Sequence, residues 1–271
     1  MNTMTKDEYM RYKLIMSPDV GEVQAKLEKT PDDPELWYEM GMAQSAAGDN
    51  DAAVKAFSKG LFYAPFDAFL HFGRGRKMNS AGQFWPAIAE LTLACRLDST
   101  EWTFLYYRAT SYNLHGMYEE SCKDFRDCIS IAKVGDGCAL VHWLFTTYLL
   151  ELNDPKRAQE SLSLIPRDVV APKMDYGYER NFRLYTGQVS KEDFIDIPDI
   201  EKNSLPLPGR VDLELVTMYY GLFAYCIFTG DEEGADKALL EALKIKIPNA
   251  FGYMKAVSYT HLRAHETGRN L

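Results

Sequence analysis

Three groups of residues in this chain have types and spacings that chemistry can use. Cys138 and His142 are four apart, one turn along a helical face, and with Cys122 and Cys128 they make four ligands of the kind that fill a zinc shell. Cys122 and Cys128, however, are six apart, so at about 100° per residue they point roughly 120° away from each other. The expectation is buried thiols and a packed imidazole, with no metal. A second group, Arg74, Arg76 and Lys77, concentrates positive charge on one helix of a chain whose net charge is -9. It either receives an acidic peptide or forms a solvated charged face. The third is the stretch from Ser258 to Leu271, with His261, His265, Arg263 and Arg269 and no helical period.

Motifs of catalysis are missing. There is no nucleophile elbow, phosphate loop, dinucleotide fingerprint or metalloprotease helix, and the glycines around Arg74 and Asp136 read as helix ends with no strand before them. The expectation is a protein that is not an enzyme and needs no cofactor. With 46% hydrophobic and 13% aromatic residues, the chain can bury a substantial core. No run of about 18 apolar residues is present, and the amino terminus lacks the apolar stretch of a secretory signal. The five cysteines have no short paired spacing, which fits reduced thiols and a cytoplasmic location. The acidic balance argues against generic nucleic-acid or anionic-membrane binding, which depends on excess Lys and Arg.

The elements that position these residues repeat along the chain. Segments beginning at Pro34, Ala68 and Trp102 align with a step of 34 residues and no gaps. Column 8 holds Gly41, Gly75 and Ala109, and column 15 holds Gly48, Gly82 and Gly116. Column 20 holds Ala53, Ala87 and Ser121, and column 24 holds Phe57, Leu91 and Phe125. A glycine just past a helix end takes the left-handed conformation at little cost, so column 15 predicts a turn between two antiparallel helices. Small residues on both helices allow close approach, and the large residue of column 24 fills the space beside them.

On these residues the chain resembles a tetratricopeptide repeat protein of bacterial type. Trp37, Gly41, Ala53, Phe57 and Pro65 match the family pattern, Met40 and Gln44 depart from it, and Tyr112 supplies the tyrosine in the third repeat. The implied fold is all-α, a right-handed α-solenoid of about six helical hairpins. Residues 1–33 are expected to form leading helices or a capping half-repeat, beginning near Lys6. Four repeats follow within 34–166, namely 34–67, 68–101, 102–135 and 139–166, the fourth with Asn153 in the glycine column. Residues 167–211 read as a degenerate repeat, with Ser190 capping a short second helix, and then a proline-containing loop. Residues 212–256 read as a final hairpin, with Gly230, Ala235 and Leu239 in register, and the start of a truncated helix.

The resemblance also implies a function. Such arrays bind protein or peptide partners on a concave groove, and the groove columns place Tyr38, Met42, Phe69, Phe72, Arg76, Asn79, Tyr106, Thr110, Asn113 and Trp143 there. Aromatic and arginine anchors suit such a groove; the other reading is that the aromatics pack against the neighbouring repeat. The family's terminal-carboxylate clamp is not matched, since its positions hold Tyr38, Met42, Gly73, Thr103 and Tyr107. The expected function is a non-enzymatic interaction scaffold binding a peptide or helix. The alternative is a peptide-sensing regulatory repeat protein, although the first 33 residues are too short for the DNA-binding domain such proteins carry. Residues 257–267 resemble the translation of a transposase-based sequencing adapter, so 257–271 are expected to be a non-native tail, with the true sequence lost after about Lys255. Metal analysis of the purified protein is expected to find no stoichiometric zinc; one zinc per chain would overturn the reading of the cysteines.

Overall fold

The computed structural model describes residues 19–248 and 250–267, with side chains as far as residue 260. The described residues form fourteen α-helices and no strand. They divide into two compact units, residues 1–115 and 116–271.

Unit 1 begins, in its described part, with α1 (Val20–Leu27), followed by α2 (Pro34–Ala46), α3 (Asn50–Tyr63), α4 (Ala68–Ser80), α5 (Phe84–Leu97) and α6 (Trp102–Leu114). Four of these helices start on an aspartate. Asp19, Asp33, Asp49 and Asp67 each accept a hydrogen bond from a backbone N–H of the following first turn. Each such cap contributes about 1 kcal/mol. The expected turns are present: Gly48 and Gly82 have φ of +84° and +73°. The Lys6 end of the leading pair lies outside the described residues, and Val20–Leu27 packs Val23 and Leu27 against Met40 and Ala56.

The repeat columns become contacts. A Cβ on Gly41 of α2 would lie 2.4 Å from the Phe57 ring, and one on Gly73 of α4 would lie 2.6 Å from the same ring. Phe57 therefore occupies space that two glycines leave, one in its own hairpin and one in the next. In the second hairpin, a Cβ on Gly75 would lie 2.9 Å from Leu91, which is the same pairing of columns 8 and 24.

Unit 2 contains α7 (Tyr118–Ile131), α8 (Gly137–Thr146), α9 (Pro155–Ser161), α10 (Tyr176–Tyr185), α11 (Ile197–Asn203), α12 (Arg210–Thr229), α13 (Glu232–Lys244) and α14 (Phe251–Thr267). Helix α8 runs directly into a π-helical turn, Thr147–Glu151. Asn153 then takes φ of +50° in the column where the other repeats have glycine, as asparagine can. In the last hairpin Gly230 has φ of +77°, and Ala235, Leu239 and Ala242 are wholly buried.

Three local expectations are corrected. Ser190 does not start a helix; it exchanges hydrogen bonds with Asp193, donating to its carboxylate at 2.7 Å and accepting from its N–H at 3.1 Å. The stretch expected as a loop contains α11 instead, because Asp196 caps it and Pro198 sits in its first turn, where a proline costs no hydrogen bond. Ile200 of α11 is wholly buried, and that burial outweighs the turn-forming composition around it. The third difference is α14, which continues through Thr267 although Ser258 to Leu271 has no helical period; burial of Ala256 and Tyr259 supports it.

Helix α12 is the one described helix long and apolar enough to cross a membrane, and half of its most apolar window is buried inside the fold. Gly41→Ala and Gly73→Ala are each expected to lower the urea midpoint, by about 1–3 kcal/mol of overpacking against Phe57. Gly48→Ala, where no atom lies within 4 Å of the added Cβ, should cost about 1–2 kcal/mol from backbone strain alone. Adding Phe57→Leu should recover part of the loss in Gly41→Ala and none in Gly48→Ala.

Candidate functional site

In unit 1 the first helices of successive hairpins bring aromatic side chains into one continuous belt. Tyr38 meets the Phe69 ring edge-on at 6.5 Å, Phe69 meets Phe104 at 5.2 Å, and Phe104 meets Phe72 at 4.9 Å. Phe72 then contacts Tyr107 at 5.3 Å, Tyr107 contacts Tyr106 at 5.3 Å, and Tyr106 contacts Trp102 at 6.1 Å. The Arg76 guanidinium lies 5.2 Å from the centre of the Tyr107 ring, a cation–π arrangement. The belt is graded in depth. Tyr38, Met42 and Phe72 are buried, whereas Phe69, Arg76, Tyr106 and Tyr107 are half-buried.

The ten groove positions therefore separate. Tyr38, Met42, Phe72, Asn79, Thr110, Asn113 and Trp143 are buried, and Phe69, Arg76 and Tyr106 retain surface. Met42 belongs to the core cluster around Phe57 and Leu70, and the Thr110 hydroxyl donates to the Tyr107 carbonyl at 2.9 Å. Sequence reasoning passed over Phe104 and Tyr107 as belt members. The signal was present in the run Trp102 to Tyr107, where Phe104 and Tyr107 are three apart and Trp102 and Tyr106 four apart, so each pair shares a helical face.

The basic group on α4 has three different environments. Arg74 donates to Glu90 at 2.5 Å and to the Ser58 hydroxyl at 3.3 Å. The same Glu90 lies 2.7 Å from Nδ1 of the buried His71, whose Nε2 is 3.0 Å from the Pro65 carbonyl. Arg74 is thus half-buried and bridges the second helices of the first and second hairpins. Arg76 lies on the belt, and burial together with the neighbouring Arg76 charge lowers the Lys77 ammonium to about 8.

Unit 2 centres on a buried polar network. His142 Nδ1 is 3.0 Å from the Tyr185 hydroxyl and 3.3 Å from Asn181 Nδ2, and Asn181 Nδ2 also donates to the Thr217 carbonyl at 3.0 Å. With donors facing Nδ1, the imidazole is neutral, and burial lowers its pKa from 6.5 to about 3. Trp143 stacks parallel to Phe125 at 6.4 Å and meets Phe251 edge-on at 6.2 Å. Burial pushes the Cys122 and Cys138 thiols up to about 12. Among the described residues no three His, Cys, Asp or Glu side chains come together as metal ligands. Nearby, Glu214 accepts from the Gly177 N–H at 2.7 Å and pairs with Arg210 at 2.5 Å. Burial still raises its carboxyl to about 7 against those two partners.

Stacked helical hairpins with glycine turns, small residues facing large ones, and an aromatic face on the first helices define an α-solenoid repeat protein. Residues 34–66 match the family model of the tetratricopeptide repeat. Similar structures include a tetratricopeptide repeat protein from Parabacteroides merdae, at 15% identity and a TM-score of 0.54, covering 93% of this chain and 95% of that one. Another is the Cut9–Hcn1 hetero-tetramer of APC/C, at 12% identity and a TM-score of 0.55, covering 87% of this chain. This chain spans 45% of that chain's length. No curated protein matches the sequence.

The two buried titratable groups of unit 2 give opposite pH dependences. His142 is depressed, so its contribution is complete above about 6.5 and falls as pH drops below that, by up to about 1.4 kcal/mol per pH unit. Glu214 is raised, so its contribution is complete below about 4.5 and is lost as pH rises through about 7. Urea unfolding between pH 4.5 and 7.5 is expected to show His142→Gln tilting the profile toward acid stability and Glu214→Gln tilting it the other way. Parallel profiles for both variants and the parent would contradict these assignments.

Proposed function

We propose that this protein is a non-enzymatic interaction scaffold that binds a peptide or helix of another protein on the first-helix face of unit 1. The observation that supports this most directly is the belt whose members Phe69, Tyr106 and Tyr107 are half-buried, with Arg76 over the Tyr107 ring. Half-buried aromatics are held in fixed orientations by their buried neighbours, so contact with a partner costs little additional side-chain entropy. Arg76 adds a cation that an acidic side chain can meet at the edge of that surface. The fold itself is one that hosts partner binding rather than catalysis, and five free thiols fit a reducing, cytoplasmic setting.

A photoreactive phenylalanine analogue placed at position 69 or 106 tests this reading. It is expected to crosslink a protein partner in the source cell, and Arg76→Glu should weaken capture of an acidic partner by about tenfold or more. Crosslinks that remain confined to the chain itself, or capture unchanged by Arg76→Glu and Tyr106→Ala together, would overturn the proposal.

A further inference from the structure

The carboxylate of Glu151 has no role in the repeat pattern, yet it is carried into the interior of unit 2. It closes the π-helical turn Thr147–Glu151 and pairs there with the ammonium of Lys255 on α14, the two side chains being 9% and 6% exposed. The Lys255 ammonium is also 5.5 Å from the centre of the Tyr118 ring. One turn earlier on the same face of α14, Phe251 meets Trp143 at 6.2 Å, the aromatic that the repeat alignment puts in the groove of the fourth hairpin. On the adjoining face, a Cβ added to Gly252 would lie 3.4 Å from the Val216 carbonyl of α12, and Ala256 is wholly buried. Glu151 also interacts with the hydroxyls of Tyr118 and, one turn beyond Lys255 on α14, Tyr259.

We propose that this face of unit 2 is a binding site for a helix carrying an aromatic residue followed four positions later by a lysine, that Phe251–Ala256 occupies it within the chain, and that a partner helix of the same pattern takes its place. This rests on the reading of the protein as a scaffold that binds helices. The chemistry that selects the partner is the buried charge. Withdrawing Lys255 leaves the Glu151 carboxylate in a low-dielectric interior without its counter-ion, which is strongly unfavourable. A purely apolar helix cannot offset that loss. A helix that returns an ammonium or guanidinium at the same position can, and its aromatic residue replaces Phe251 against Trp143. The intrachain segment competes at a high effective concentration, so the filled site binds an outside helix weakly.

The test uses a helix-stapled, fluorescent peptide of residues 247–256 and the full chain. Fluorescence anisotropy is expected to show the Phe251→Ala, Lys255→Ala chain binding it at least about tenfold more tightly than the parent chain. Replacing the peptide lysine by norleucine should remove that gain, arginine should keep it, and adding Glu151→Gln to the chain should abolish it. Equal binding by the two chains, with helicity retained by circular dichroism, would overturn the proposal, as would equal binding of the norleucine peptide. Where the double-alanine chain fails to fold, the charge exchange Glu151→Lys with Lys255→Glu keeps a pair in place. Displacement there should require a peptide bearing glutamate; a retained preference for lysine would overturn the proposal. Failure of the peptide to bind, with partner capture through Arg76 and Tyr106 intact, would sink this site alone and leave the scaffold reading standing.

Discussion

The position of one phenyl ring governs how the helices of unit 1 are spaced. Phe57 projects from the second helix of the first hairpin into room left by Gly41 on the first helix and Gly73 on the next hairpin, each closer than a methyl group would allow. Interiors are packed at crystal-like density, so a ring held between two glycines fixes the distance between three helices at once. Tyr38 contacts the same ring at 5.7 Å, and from Tyr38 the aromatic belt proceeds outward to Arg76. The half-buried aromatics at the end of that belt are therefore held through neighbours to a rigid core element rather than presented on a loop.

Much of this was legible in the sequence because the repeat turns distant contacts into a local pattern. Columns 8 and 24 predicted the pairing of Gly41 with Phe57 and of Gly75 with Leu91, and column 15 predicted the left-handed glycines. Legibility declined where tertiary burial outweighs local composition. The turn-rich residues around Pro198 form a helix because Asp196 can cap it and Ile200 is buried, neither of which composition reports. The groove columns place these residues on the first helices of their hairpins, but they do not report the depth of each side chain. Depth depends on neighbours from other helices, so Phe72 and Met42 lie in the core while Phe69 and Tyr106 retain surface.

Unit 2 carries more buried polar groups than the His71–Glu90 pair of unit 1. Its interior contains an imidazole, amide and hydroxyl network at His142, Asn181 and Tyr185, together with paired carboxylates at Glu214 and Glu151. None of these residues belongs to the repeat pattern. Buried polar groups of this kind are tolerated when their partners are in place and are costly when they are not. Unit 2 is accordingly the more demanding of the two to alter one residue at a time.

The π-helical turn Thr147–Glu151 has a consequence for how the array can be rebuilt. A repeat protein invites exchange of one unit for another, since each repeat packs mainly on its neighbours. A π turn admits an additional residue into the helix and rotates whatever follows. A consensus repeat placed at residues 139–166 would restore a regular hairpin and realign the residues that follow the turn. The inward carboxylate would then have no equivalent position, so a consensus unit cannot simply replace residues 139–166.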